Sequence, residues 1–459
     1  MTTIAVIGGG PAGYVAAITA AHEGQHVILI NEGSLGGTCL NEGCMPTKSL
    51  LESAEIYDTV KKAEQFGVSL SSNHVGINWS QVQQRKNNIV QTLVHGIDYL
   101  MKKNKIKVMK GKAFFQSDDH LCVTNHGREE AVEADRFIIA TGSEPISLPF
   151  APFDGEWVIH SGHAISLGSI PSSMLIVGGG VIGCEFASIF SRMGTNVTVV
   201  EMADQILPGE DKDMASLLQT ELEKEGVTFY TSTTVKGLDY DRKKAIFENQ
   251  DGMNELKADY VLVSIGRRPK TENLGLENTG VDYSKQGIVV NEQMQTSIPY
   301  IYACGDVIGG IQLAHVAFHE GTVAALNICG KETSVNYKAV PRCIYTSPEI
   351  ASVGLTEKQA RNHYGNVRVG EFPFAANGKA LIVNKSIGKV KVIIEPQYNE
   401  IVGISIVGPH ATELIGQGTV MLHTEMTVDV MRDFIAAHPT LSEAIHEAIL
   451  SSVGHPVHV

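Results

Sequence analysis

Short, unbroken apolar runs separated by glycine turns pattern most of the first three hundred residues of the chain. Ile4-Ala-Val-Ile-Gly-Gly-Gly-Pro-Ala-Gly13 predicts a strand, a glycine turn and an Ala-rich helix reaching about Glu23, and the apolar run His26–Ile30 follows. Met174-Leu-Ile-Val-Gly-Gly-Gly-Val-Ile-Gly183 repeats the pattern, with a helix to about Met193 and a strand at Asn196–Val200. Each is a βαβ unit with continuously apolar strands, as a parallel sheet covered on both faces requires. Between the units, residues 51–103 read as largely helical and polar, and short strand-like runs then end in Phe137–Gly142. Tyr260–Pro269 and Tyr300–Asp306 each read as a strand running into a turn. From about Pro341 the texture changes: Lys389–Glu395 and Glu400–Val407 alternate, and two helical stretches reach residue 451. That predicts an α/β chain closed by a C-terminal α+β domain.

Composition narrows the function classes. At 459 residues the chain has room for about three domains with separate cores. A net charge of -14 argues against broad binding to nucleic acid or anionic membranes. It leaves small anionic ligands open, because a helix N-terminus binds phosphate through backbone N–H groups. The seven cysteines, at 39, 44, 122, 184, 304, 329 and 343, form only one close pair. That scatter does not resemble a secreted disulfide framework, so a reducing cytoplasmic setting is expected. The N-terminus carries no basic leader, and no apolar run approaches the ~18 residues of a membrane span.

The glycine spacing gives the turns a chemistry. In Gly8-x-Gly10-x-x-Gly13 the first glycine makes the turn, the second admits a pyrophosphate and the third lets helix and strand pack closely. A bare strand–helix turn is the plainer alternative, and the strand–turn–helix context weighs against it. Gly178-x-Gly180-x-x-Gly183 is a second fingerprint, so two Rossmann-like dinucleotide-binding domains are expected. A carboxylate capping the second strand takes ribose hydroxyls. Glu201 holds that place in the second unit, with no Arg or Lys in Met202-Ala-Asp204 for a 2′-phosphate, which favours NAD over NADP. In the first unit the place is taken by Asn31-Glu32, with Glu32 the candidate.

Cys39 and Cys44 lie in Leu35-Gly-Gly-Thr-Cys-Leu-Asn-Glu-Gly-Cys-Met-Pro-Thr-Lys48. On a straight helix, residues five apart point roughly 140° away from each other. Disulfide geometry therefore needs a distorted backbone, for which Gly43 and Pro46 are suited. A distorted, accessible pair exchanges more readily than a structural staple, so beside a nucleotide it reads as a redox centre. The other five cysteines read as small core residues. Near the C-terminus, His438-Pro439-Thr-Leu-Ser-Glu443 places Pro439 at the expected first position of a helix, His438 just outside it, and Glu443 within reach of the ring. A His with a carboxylate suits proton transfer to a thiol. Among 17 histidines, spacing alone does not select this one.

Taken together, these segments resemble the pyridine nucleotide-disulfide oxidoreductases over essentially the whole chain, and most closely the branch that oxidises dihydrolipoamide. Further markers are Ala140-Thr141-Gly142, Gly266-Arg-Arg-Pro269, Gly305-Asp306 and Leu313-Ala314-His. The resemblance implies an FAD domain over 1–145, an NAD domain over 146–272, a central domain over 273–340 completing the FAD site and a dimerisation domain over 341–459. It implies Cys39 as the thiol that meets substrate, Cys44 as the thiol beside the flavin, Lys48 near the flavin ring and Glu185 as its carboxylate partner near the nicotinamide. Asp306 is implied on the flavin ribityl chain and Ala113 on the adenine. Thr141, Gly142, Ala314 and Gly266 are expected to contact cofactor. His438 and Glu443 are implied as a base pair serving the opposite subunit of a homodimer. The implied partner is a lipoyl-bearing protein of a 2-oxoacid, acetoin or glycine-cleavage complex. The alternatives are an NADH-dependent reductase of another disulfide or small molecule, and a structural subunit of a complex. Asn31 departs from the family's usual Glu, and Ala436 stands where many relatives carry His.

Overall fold

The computed structural model describes residues 2–70 and 75–458. Both repeat units form as patterned. Strand Thr3–Ile7, helix Pro11–His22 and strand His26–Asn31 make the first; strand Ser173–Val177, helix Val181–Arg192 and strand Asn196–Val200 make the second. The expected helical stretch contains Cys44–Lys61 and Trp79–Lys103; its residues 71–74 lie outside the described part.

Each unit seeds a five-stranded parallel sheet. The first runs Ile301–Ala303, Arg136–Ile139, Thr3–Ile7, His26–Asn31, Lys107–Lys110. Its outer strand Ile301–Ala303 thus comes from beyond the second unit and pairs with Arg136–Ile139. Helix Ala314–Ile328 returns from that strand to pack on helix Pro11–His22, where Gly321 lies against the Ala12 carbonyl. The second sheet runs Thr228–Tyr230, Asn196–Val200, Ser173–Val177, Tyr260–Val263, Val158–Ile159. The central residues Ile4, Ala5 and Val6, and Leu175 and Ile176, are fully buried. This is the burial that continuous apolar strands require.

The C-terminal sheet is antiparallel and five-stranded: Arg342–Ile344, Glu349–Gly354, Ile401–Gly408, Lys389–Ile394, Arg368–Pro373. Helices Ala411–His423 and Glu443–Ser451 cover it, with the short Val428–Arg432 between them. Helix Glu443–Ser451 starts later than its proline suggests. Glu443 reaches back so that its Oε2 accepts the Thr440 N–H at 2.8 Å, which leaves Pro439 in the preceding turn rather than at the first helical position. No described helix is long and apolar enough to cross a membrane.

Candidate active site

The two glycine turns are near copies. Gly8 and Gly178 both have φ +107°, where a side chain is strained. A Cβ on Gly13 would stand 1.8 Å from the Gly8 carbonyl oxygen, and one on Gly183 would stand 1.9 Å from that of Gly178. The third glycine therefore lets each helix touch its strand. Gly10 and Gly180 cap their helices in extended conformation without a side-chain cap. The first-turn N–H groups are left for a ligand, the arrangement that takes a pyrophosphate. The strand-end residue also matches between the units. Glu201 accepts the Gly179 N–H at 2.6 Å and the Ala203 N–H at 2.7 Å. In the first unit the equivalent acceptor is Asn31, whose Oδ1 takes the Gly9 N–H at 2.9 Å. Glu32 lies one residue beyond, largely exposed, with Lys112 at 3.3 Å.

Both turns open onto one cavity of about 1710 Å³, lined by Gly8, Gly10, Glu32, Cys39, Cys44, Lys48, Thr141, Gly142, Gly178, Gly180, Glu185, Glu201, Gly266, Asp306 and Ala314. That exceeds the usual ~300–1,000 Å³ of a single-ligand pocket and suits two nucleotides. The glycine cradle and the unsatisfied helix N-terminus fit FAD in the first half, and Glu201 fits a ribose diol in the second. Gly13 and Gly183 act behind the lining as packing contacts. Ala113 is buried on strand Lys112–Phe115, outside the lining.

The redox segment breaks where the sequence demands it. Cys39 lies in the single turn Gly37–Asn41, and Cys44 opens helix Cys44–Lys61. Gly43 between them has φ -133° and ψ -110°, and a Cβ there would press on the Thr38 carbonyl at 3.0 Å. Both cysteines are half-buried thiols. The Cys39 S–H donates to Cys44, which pushes the Cys39 thiol up; that bond and, less strongly, Lys48 hold the Cys44 thiol down to about 7, against desolvation and Glu185. Position at a helix N-terminus favours the same anion. Of the remaining cysteines, 122, 184 and 304 are buried as expected, whereas Cys329 and Cys343 are only half-buried, and Cys343 lines the cavity.

Three parts of the fold meet beside Cys44. Lys48 Nζ donates to both oxygens of Glu185, at 2.8 and 2.9 Å. Glu185 is buried on helix Val181–Arg192 and also accepts the Tyr345 N–H at 3.1 Å. On the other side, Asp306 accepts the Ser143 hydroxyl at 2.5 Å, and Arg267 donates to Ser143 Oγ and O at 2.8 and 2.7 Å. Behind Asp306, buried Glu320 accepts the Gly305 N–H at 2.7 Å and the Tyr337 hydroxyl at 2.8 Å. Ser143, Arg267, Glu320 and Tyr345 were not singled out from sequence. The marker Gly266-Arg-Arg-Pro269 contains Arg267, and Ala140-Thr141-Gly142 stops one residue short of Ser143, but no spacing rule links positions so far apart.

His438 and Glu443 stand apart from this cavity. His438 Nδ1 lies 2.9 Å from Glu443 Oε1, which leaves Nε2 free to face outward on a ring that is 78% exposed. Against desolvation, the Thr440 N–H and the imidazole hold the Glu443 carboxyl below its ordinary range.

Residues 2–321 match the family model of the pyridine nucleotide-disulphide oxidoreductases, and residues 340–449 match that family's dimerisation domain, which supports a homodimer. A dihydrolipoyl dehydrogenase of Bacillus subtilis is 56% identical over 99% of this chain and 100% of its own length. One from Geobacillus stearothermophilus is 39% identical over 100% of this chain and 97% of its own. Among solved structures, LpdA of Mycobacterium tuberculosis superposes with a TM-score of 0.90 at 28% identity, covering 98% of this chain and 99% of that one. The flavoprotein disulfide reductase RclA of Escherichia coli does so with 0.87 at 28% identity, covering 98% of both chains. The chain belongs to the pyridine nucleotide-disulphide oxidoreductases, in the same family as these dihydrolipoyl dehydrogenases.

Proposed function

We propose that the protein oxidises a dihydrolipoyl group to its cyclic disulfide with NAD⁺ as final acceptor, and that the lipoyl group is carried by another protein of a 2-oxoacid, acetoin or glycine-cleavage complex. The observation that carries this reading is the Cys39–Cys44 pair, set in one cavity between two dinucleotide turns. FAD bound at the first turn supplies the two-electron chemistry that connects the dithiol to NAD⁺. The chain's own residues do the rest. His438, oriented by Glu443 and presented by the second subunit, takes the proton of one substrate thiol. The resulting thiolate attacks Cys39 of the oxidised pair, forming a mixed disulfide and displacing the Cys44 thiolate. The second substrate sulfur loses its proton and attacks the first. The cyclic disulfide leaves, and Cys39 takes up a proton. The low proton affinity of Cys44 makes it the better leaving group and keeps it anionic beside Lys48. Gly10 and the helix behind it hold the FAD pyrophosphate, Asp306 its ribityl hydroxyls, and Glu201 the NAD ribose. The division at 1–145, 146–272, 273–340 and 341–459 is part of the same proposal, and so is a cytoplasmic setting.

Anaerobic titration with dihydrolipoamide, followed by NAD⁺, tests the reading. Bleaching of the visible spectrum by the dithiol and its return with formation of NADH is expected. Reduction by NADH alone, with no response to dihydrolipoamide, would move the protein to reduction of another disulfide. Cys39→Ser should abolish turnover and leave a folded, yellow protein.

A further inference from the structure

Tyr345 belongs to the C-terminal domain, directly after strand Arg342–Ile344, yet it reaches the redox centre. Its backbone N–H donates to Glu185 Oε1, and the Lys48 ammonium sits over its ring, 4.6 Å from the centroid. Lys48 is therefore gripped from two sides, by a carboxylate of the second nucleotide unit and by a π face of the C-terminal domain. Burial, with Cys343 and Glu185 nearby, pushes the phenol up to about 12, so the face offered to the ammonium is that of a neutral ring.

We propose that Tyr345 is a positioning residue of the redox centre: its ring fixes the Lys48 ammonium, on a pair its backbone also holds, where that charge supports the Cys44 thiolate. A lysine carries a compact charge on a flexible stem, and the energy of a charge pair falls with distance. Bonded to Glu185 alone, Lys48 could swing with that side chain. The ring removes that freedom and adds attraction that grows when water is excluded. The charged and titratable groups facing Cys44 are Cys39 from the preceding turn, Lys48 from its own helix, Glu185 across the cavity and Arg267 from strand Arg267–Pro269. Of these, Lys48 is the one that the Tyr345 ring touches, while the Tyr345 backbone N–H holds Glu185. The contact also makes the redox centre sensitive to how the C-terminal domain is seated, which the sequence separation of Lys48 and Tyr345 conceals.

The inference deepens the reading above, and its test separates the two. Holoenzymes carrying Tyr345→Phe and Tyr345→Leu are reduced with a phosphine, and the Cys44 thiolate is titrated by its ultraviolet absorption, without any dihydrolipoamide. Tyr345→Phe keeps the π face and should titrate as the parent does. Tyr345→Leu keeps the backbone bond but loses the face, and its midpoint should rise by about half to one pH unit, the equivalent of a cation–π contact. The same variant should lose about three- to tenfold in kcat with NAD⁺ while KM for the dithiol holds. An unchanged midpoint in Tyr345→Leu, or an equal shift in Tyr345→Phe, would overturn the proposal. If Tyr345→Leu yields no holoenzyme, Tyr345→Met makes the same comparison. A parent enzyme inert to dihydrolipoamide would unseat the substrate assignment and leave the thiolate comparison standing.

Discussion

At the scale of single residues, two neighbouring thiols separate into unlike groups. The Cys39 S–H donates to Cys44, so one proton serves both sulfurs, and Cys44 becomes the anion at about pH 7 and above. Replacing Cys39 by Ala removes the donor. The Cys44 midpoint should then move up, toward the ordinary thiol value of about 8.5. An ultraviolet thiolate titration of the variant reads this directly, and a midpoint that stays put would show that Lys48 alone sets it. Glu201 makes a second residue-level case. It holds two backbone N–H groups and keeps further lone pairs, which in the proposed function accept from the NAD ribose. Glu201→Ala should weaken NAD⁺ binding by about ten- to a hundredfold, the worth of hydrogen bonds to a charged group, with kcat at saturation less affected. Calorimetric titration against NAD⁺ checks it. The strand-end pair Asn31-Glu32 was readable in sequence only as an ambiguity. Spacing locates the end of a strand to a residue or two, whereas the hydrogen bond to Gly9 identifies Asn31 as the counterpart of Glu201.

At the scale of elements, the glycine turns set what the units tolerate. Methyl groups on Gly13 or Gly183 would meet a carbonyl oxygen at under 2 Å, and the backbone is committed to a helix on one side and to the end of a sheet strand on the other. Gly183→Ala should cost about 1–3 kcal/mol in stability, from overpacking, and depress NAD⁺ affinity. Chemical denaturation and NAD⁺ binding measure the two effects separately. Helix and strand positions in these units were legible because parallel strands buried on both faces admit only apolar residues, and glycine is the residue that fits the turn. The helix at Glu443–Ser451 was less legible. A proline suggests a helix start, but the Glu443 carboxylate satisfies the Thr440 N–H from inside the helix and shifts the boundary. The same carboxylate orients His438, so Glu443→Gln should slow dithiol oxidation and leave FAD content unchanged, as stopped-flow and absorbance would report.

At the scale of the whole molecule, charge ties the second nucleotide unit to the C-terminal sheet. Lys391, 3% exposed, donates to Asp213 at 2.7 Å and lies 3.3 Å from Glu357, with Asp211 and Glu371 each at 3.9 Å. Lys391→Met would leave these carboxylates facing one another, with Lys389 beside Asp213 and Glu371 and Arg361 beside Glu357 as their remaining close cations. A loss of about 3–5 kcal/mol is expected, as when one partner of a buried ion pair is removed, and thermal unfolding of the holoenzyme measures it. The chain by itself determined the two βαβ units, their nucleotide turns, the broken segment carrying Cys39 and Cys44, and the change of architecture near Pro341. Those features are local: period, turn chemistry and glycine spacing act within some thirty residues. Only the tertiary structure decided that Ile301–Ala303 completes the first sheet, that Lys48, Glu185 and Tyr345 form one cluster, and that Ser143 and Arg267 present Asp306. These pairings join residues more than a hundred positions apart. What selects them is the packing of separately folded parts of the chain against one another, and no local pattern records that packing.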